Sequence, residues 1–289
     1  MTCAWISAAP SKMLRMRASQ RTRLTGYSRA KPLPPTITST AVTDNASYLV
    51  DASAPKISSV AITSATGAQA NTLNAGDTVT ATVTMDEATL VNTTGNKPQL
   101  ALNIGGTTVY ADYASGSGTT ALVFTYTIQS GQTDTDGISV DANALKLNGG
   151  TLADAVGNAA VLTHTAVANN ASYLVDTTAP TAGALALATD TGSSTTDGIT
   201  KNGVINVTGL EAGATWEYST NSGSTWTAGS GTSFTLAEGN YATGALKVRQ
   251  TDAAGNVQTT GMGTNAAAIT VDTTAPTAGA LALATDTGS

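Results

Sequence analysis

The chain repeats itself at the spacing of one small domain. Residues 175–193 read VDTTAPTAGALALATDTGS, and residues 271–289 repeat all 19 positions 96 residues later. A second pair, residues 38–55 and 163–180, shares 13 of 18 positions at a spacing of 125. Recurrence of this kind marks structural modules set in tandem, each of which must bury a core of its own or share one with its neighbour. The common punctuation is D-x-x-A-P, at Asp51–Pro55, Asp176–Pro180 and Asp272–Pro276. Proline fixes φ and has no N–H to give a sheet, so each of these segments ends one strand and leads into the next at an edge or linker. Spacings of 96 and 125 residues each suit one β-sandwich. The expected organisation is a head over 1–35, a last-strand stub over 36–52, sandwiches over 53–177 and 178–273, and a first-strand stub over 274–289. Two whole domains flanked by partial repeats read as a piece of a longer protein.

The residue pattern between these points is that of strands. Val79, Ala81 and Val83 alternate with threonine in TVTATVT; Leu100, Leu102 and Ile104 alternate in QLALNI; Leu122, Phe124 and Tyr126 share one face of ALVFTYT. In the second unit Ile205 and Val207, Trp216 and Tyr218, and Leu246 and Val248 do the same. Period-two alternation gives each sheet one buried and one wet face, as a sandwich requires. Glycine doublets such as Gly105-Gly106 and Gly149-Gly150 mark the turns. No segment of helical length has a 3.6-residue period, and no apolar run reaches the 18 or so residues of a membrane-spanning helix.

Charge separates the head from the rest. Seven of the 13 basic residues fall within the first 31 positions, which hold no Asp or Glu. From Thr36 onward six basic residues face all 19 acidic ones, leaving that part at −13. Such a body excludes nucleic-acid binding through phosphates, which needs basic patches, and favours divalent cations. The head also carries the single cysteine, Cys3, and lacks the apolar stretch of a secretory signal. It is expected to be disordered or foreign to the repeats. Without body cysteines no disulfide can staple the sandwiches.

Candidate chemistry is confined to carboxylates. Each linker has its Asp just before A-P. Asp190 and Asp197 follow the second linker, and each sandwich ends in D-x-x-G-N: Asp154 to Asn158 and Asp252 to Asn256. Asp in such a motif caps its own turn and Gly takes positive φ. Carboxylates gathered from several loops can also supply the oxygens that calcium requires. The metal candidates are Asp51, Asp176, Asp190, Asp197, Asp252 and Asp272, with the linker residues preferred, and calcium is the expected ion. The pairs Asp134/Asp136 and Asp86-Glu87 read as solvated loops. Catalytic residues are expected to be absent. His164 is the only histidine and sits in a strand-like run, so nucleophile–histidine sites lack parts and zinc lacks ligands.

Two resemblances follow from these residues. The string S-x-N-x-G-x-T-W, from Ser219 to Trp226, resembles the Asp-box hairpin of sialidases with Asn221 in the Asp position, an element that serves the fold and lies away from catalysis. DTTAPTAG, TDGIT, GLEAGATWEYSTNSGSTW, LKVRQTDAAGN and VDTTAP over 176–275 resemble the bacterial Ig-like repeats of giant secreted adhesins, of the biofilm-associated and repeats-in-toxin kinds. GDTVTATVTMDEA and LVFTYTIQSGQTDTDGISV in the first sandwich resemble a related Ig-like or cadherin-like repeat of the same proteins. The fold this implies is all-β, tandem immunoglobulin-like β-sandwiches with a disordered N-terminal head. The implied role is a non-enzymatic structural spacer of an extracellular or bacterial cell-surface adhesin, supporting cell adhesion or biofilm formation. Family calcium at linkers would fall on Asp176, Asp190, Asp197 and Asp272. The implied partners are neighbouring Ig-like repeats of the same chain and host or biofilm surface ligands, with no nucleic acid and no membrane insertion. The alternative is a carbohydrate- or surface-binding module, with Trp226 as the first contact residue.

Overall fold

A computed structural model of the protein describes residues 48–281. The head over 1–35, most of the stub over 36–52, and the second half of the stub over 274–289 lie outside the described residues. Every regular element among the described residues is a β-strand, so the chain is all-β as its alternation requires. No helix there is long and apolar enough to cross a membrane. The chain divides into two compact units, Met1–Val50 and Asp51–Ser289. The second of these holds two hydrophobic cores that share no residue.

The first core lies among β1 (Ile57–Thr66), β2 (Thr72–Leu73), β3 (Thr78–Asn92), β4 (Gln99–Ile104), β5 (Thr107–Ser115), β6 (Thr119–Thr127), β7 (Thr133–Asp134), β8 (Leu145–Lys146), β9 (Thr151–Ala153) and β10 (Leu174–Asp176). A large sheet runs β1-β3-β6-β5-β4-β8, with β9 also on β3, and a small sheet runs β2-β10-β7. The alternating residues do what their spacing predicts. Val79, Ala81, Val83, Leu100, Leu122 and Phe124 are fully buried, and Leu73 and Val175 meet them from the small sheet. Two sheets facing each other across interdigitated side chains make a sandwich.

The second core lies among β11 (Ala184–Leu187), β12 (Ile199–Thr200), β13 (Val204–Thr208), β14 (Thr215–Ser219), β15 (Thr227–Ala228), β16 (Ser233–Thr235), β17 (Gly239–Tyr241), β18 (Lys247–Thr251), β19 (Gly263–Thr264) and β20 (Ile269–Val271). Its sheets are β11-β13-β16, β15-β14-β18-β19 and β12-β20-β17. Ile205, Val207, Trp216, Phe234, Leu246 and Val248 fill the space between them. Tyr218 stacks on Phe234 with centroids 4.1 Å apart.

Two expectations fail. Asp86 and Glu87 lie within β3, not in a loop. Asp134 is 2% exposed and sits in β7. The local string TDTDG reads as a polar turn, yet the Asp134 carboxylate accepts N–H groups from Gly105, Asp136 and Gly137 and is drawn inward by them. A buried carboxylate is tolerated where backbone donors replace its water.

Candidate functional site

The three linker aspartates are built alike. The Oδ1 atoms of Asp51, Asp176 and Asp272 accept the N–H of Ser53, Thr178 and Thr274, each at 2.9 Å. Each closes an Asx turn that sets the chain direction before the proline. Pro55 and Pro180 are buried. The exit of the second linker is held from inside the second sandwich. Gln250, fully buried, donates to the carbonyls of Thr181 and Gly209 and accepts the N–H of Glu211.

The two D-x-x-G-N turns carry more than turn chemistry. In the first, Asp154 Oδ1 accepts the N–H groups of Val156, Gly157 and Asn158. Gly157 adopts φ +100°, where any other residue would be strained. Asn158 Nδ2 then reaches the carbonyls of Asp51 at 3.1 Å and Ser53 at 3.0 Å, about a hundred residues away in sequence. In the second, Asp252 Oδ1 accepts the Asn256 N–H, and Asn256 Nδ2 donates to the Asp176 carbonyl at 2.9 Å. Each sandwich thus closes by clamping its own incoming linker.

At the second linker the turn also meets the first core's loops. Asn74, just after β2, donates Nδ2 to the Ala254 carbonyl at 2.9 Å. Gln69 lies so close over Gly255 that an added Cβ there would meet its Nε2 at 2.0 Å. Ala254, at the tip of the turn, is only 3% exposed.

Of the metal candidates, Asp51 belongs to a group of three. Ligand oxygens of Asp51, Glu87 and Asp154 all lie within 4.8 Å of one another. Burial, followed by the charges of Asp51, Asp154 and Asp86, holds the Glu87 carboxyl above its ordinary range, with Lys56 opposing. Burial pushes the Asp154 carboxyl up, but the hydrogen bonds from Asn158, Gly157 and Val156 together hold it below its ordinary range. Among the described residues Asp176, Asp190, Asp197, Asp252 and Asp272 join no such group. Asp190 and Asp197 do line one cavity, where Asp190 Oδ2 accepts the Gly198 N–H and Asp197 Oδ1 accepts that of Ile199. Glu87 was missed because its residue type in MDEA carries no spacing signal; only the pairing of β3 brings it to the linker.

The remaining candidates take structural places. In the Ser219–Trp226 string, Ser219 Oγ accepts the N–H groups of Asn221 and Gly223, and Asn221 Oδ1 accepts that of Thr225. The string joins β14 to β15 as a hairpin. One face of the Trp226 ring is covered by the Arg249 guanidinium at 4.2 Å, itself paired with Glu217 at 2.7 Å. His164 is half-buried: its Nε2 accepts the Ala144 N–H, and its Nδ1 donates to the Thr165 carbonyl.

No protein-family model matches the chain, and no curated protein matches it. Among solved structures it is similar to fibronectin(III)-like modules of Clostridium thermocellum CbhA, at 12% identity and a TM-score of 0.28, covering 74% of this chain and 94% of that one. It is also similar to a structure describing host cell surface retention of a 1.5-MDa bacterial ice-binding adhesin, at 18% identity and a TM-score of 0.32. That match covers 75% of this chain and 64% of the other.

Proposed function

We propose that the chain is a stiff structural spacer within a large extracellular bacterial surface protein, serving reach rather than catalysis. The observation that carries this reading is the joint. The linker strand, the clamping asparagine and the loop–turn contact of Asn74 with Ala254 are hydrogen-bonded to one another. A flexible linker needs none of these; a fixed one needs all of them, because each removes a rotational freedom of the connecting residues. The extracellular setting and a contribution to adhesion or biofilm formation are supported by the tandem repeats and by the resemblance to adhesin repeats. Neighbouring repeats are the immediate partners. The carbohydrate-binding alternative draws no support from Trp226, whose ring is partly taken by Arg249.

The test is small-angle scattering of the chain beside an Asn74→Ala, Asn256→Ala variant. The chain itself should give a distance distribution with one long maximum, and the variant a broader one. Equally broad distributions for both would sink the spacer reading.

Calcium belongs to the same proposal. The donor set of Asp51, Glu87 and Asp154 fits a hard cation that takes six to eight oxygens, the balance coming from water. Bound there, the ion would offset the repulsion among three carboxylates and tie β3 and the D-x-x-G-N turn to the first linker. Millimolar calcium should raise the melting temperature and Glu87→Gln should remove that response. Identical melts with calcium and with chelator would end the calcium part and leave the spacer standing.

A further inference from the structure

We infer that the Asp154–Asn158 turn is a docking surface for the loop end of another sandwich of the first type, in the way that the Asp252–Asn256 turn docks on Gln69 and Asn74. The inference rests on the spacer reading and adds which surface meets which partner. The two turns match at four of five positions: Asp154-Ala155-Val156-Gly157-Asn158 against Asp252-Ala253-Ala254-Gly255-Asn256. Both asparagines donate to the carbonyl of their linker aspartate, and Asn158 reaches that of Ser53 as well. They differ in cover. Ala254 is 3% exposed beneath the first sandwich's loop, whereas Val156 in the same place is 65% exposed. Nothing lies within 4 Å of a Cβ added at Gly157, where Gly255 is covered by Gln69 and Asn74.

The occupant follows from residues 38–55, which repeat 163–180 at 13 of 18 positions. In the first sandwich the matching stretch includes β10, whose Val175 is 1% exposed and which pairs with β2, between Gln69 and Asn74. Its counterpart ahead of the Val156 turn, Tyr48-Leu49-Val50, is 81%, 87% and 95% exposed. By that match these residues correspond in sequence to the last strand, β10, of the first sandwich. A further sandwich of the first type that ends in such a strand would present its own counterparts of Gln69 and Asn74 to the turn. An amide donor there suits the turn-tip carbonyl, as Asn74 suits that of Ala254, and the apolar surface of Val156 loses its contact with water.

The experiment uses a chain in which residues 51–175 occur twice in succession ahead of 176–289, with Cys3→Ser. One cysteine pair joins Asn74→Cys of the first copy to Val156→Cys of the second. The control, in the chain of natural length, joins Asn74→Cys to Ala254→Cys. A short bis-maleimide should link both pairs in comparable yield. A linked control with an unlinked Val156 pair overturns the inference and leaves the spacer reading intact; failure of both overturns the fixed joint itself. In the duplicated chain without added cysteines, amide exchange over 154–158 of the second copy should slow at least tenfold relative to the natural chain. Unchanged exchange also overturns the inference.

Discussion

Asn158 and Asn256 show how much one amide can hold. Each keeps its own aspartate turned inward and, with the same Nδ2, binds a linker carbonyl far away in sequence. Glu238 is the corresponding holder at the third linker, where it accepts the hydroxyls of Thr273 and Thr274. Those hydroxyls, Thr273 first, hold its carboxyl below the ordinary range. A carboxyl whose folded value is lowered stabilises the fold above its unfolded value, near 4.3, and that contribution fades as pH falls through the folded value. The stability difference between the chain and Glu238→Gln should therefore be full above about pH 5 and shrink on acidification. A difference that stays constant from about pH 6 to pH 3, measured by chemical denaturation, would count against this assignment.

At the scale of elements, the β14–β15 hairpin shows turn chemistry and packing agreeing. Ser222 at φ +61° and Gly223 at φ +91° make the tight reversal that Asn-Ser-Gly favours. On the far side of β15, Gly229 lets the chain pass over the Trp216 indole, which an added Cβ would meet at 2.3 Å. Trp216 is itself committed, donating Nε1 to the Gly231 carbonyl. Gly229→Ala should thus destabilise the second core by about 1–3 kcal/mol, the usual range for overpacking, as read from urea denaturation. A neutral effect would mean that the hairpin yields more easily than the indole's hydrogen bond implies.

Among the described residues, the Asp51–Ser289 unit holds two cores joined by a clamped linker. Phe124 is fully buried at the centre of the first core, edge-on to Tyr113 at 5.8 Å. Truncating it to alanine should cost about 3–5 kcal/mol. Because the cores share no residue, Phe124→Ala should lower the melting of the first and leave Trp216 fluorescence to report a second transition near its original temperature. A single lowered transition would mean that the joint couples the two cores into one folding unit.

Repeats, strand faces and turns were readable from the chain alone because they are local. Period-two alternation placed Val79, Leu100, Phe124 and Ile205 inside, and glycine doublets marked the reversals. The roles of the linker and D-x-x-G-N aspartates were half legible: the turn is written in the motif, but the reach of Asn158 to Asp51 is not. Glu87 and Asp134 read as loop residues in the sequence, because a short acidic string looks the same in a loop as in a strand. Their places depend on which strand pairs with which, and that choice is made by burial of the whole core. The sequence determined two all-β modules and where they are punctuated. Only the tertiary structure decided that carboxylates from Asp51, Glu87 and Asp154 meet, and that one module's turn rests on its neighbour's loop, since both require contacts across tens to hundreds of residues that no local pattern encodes.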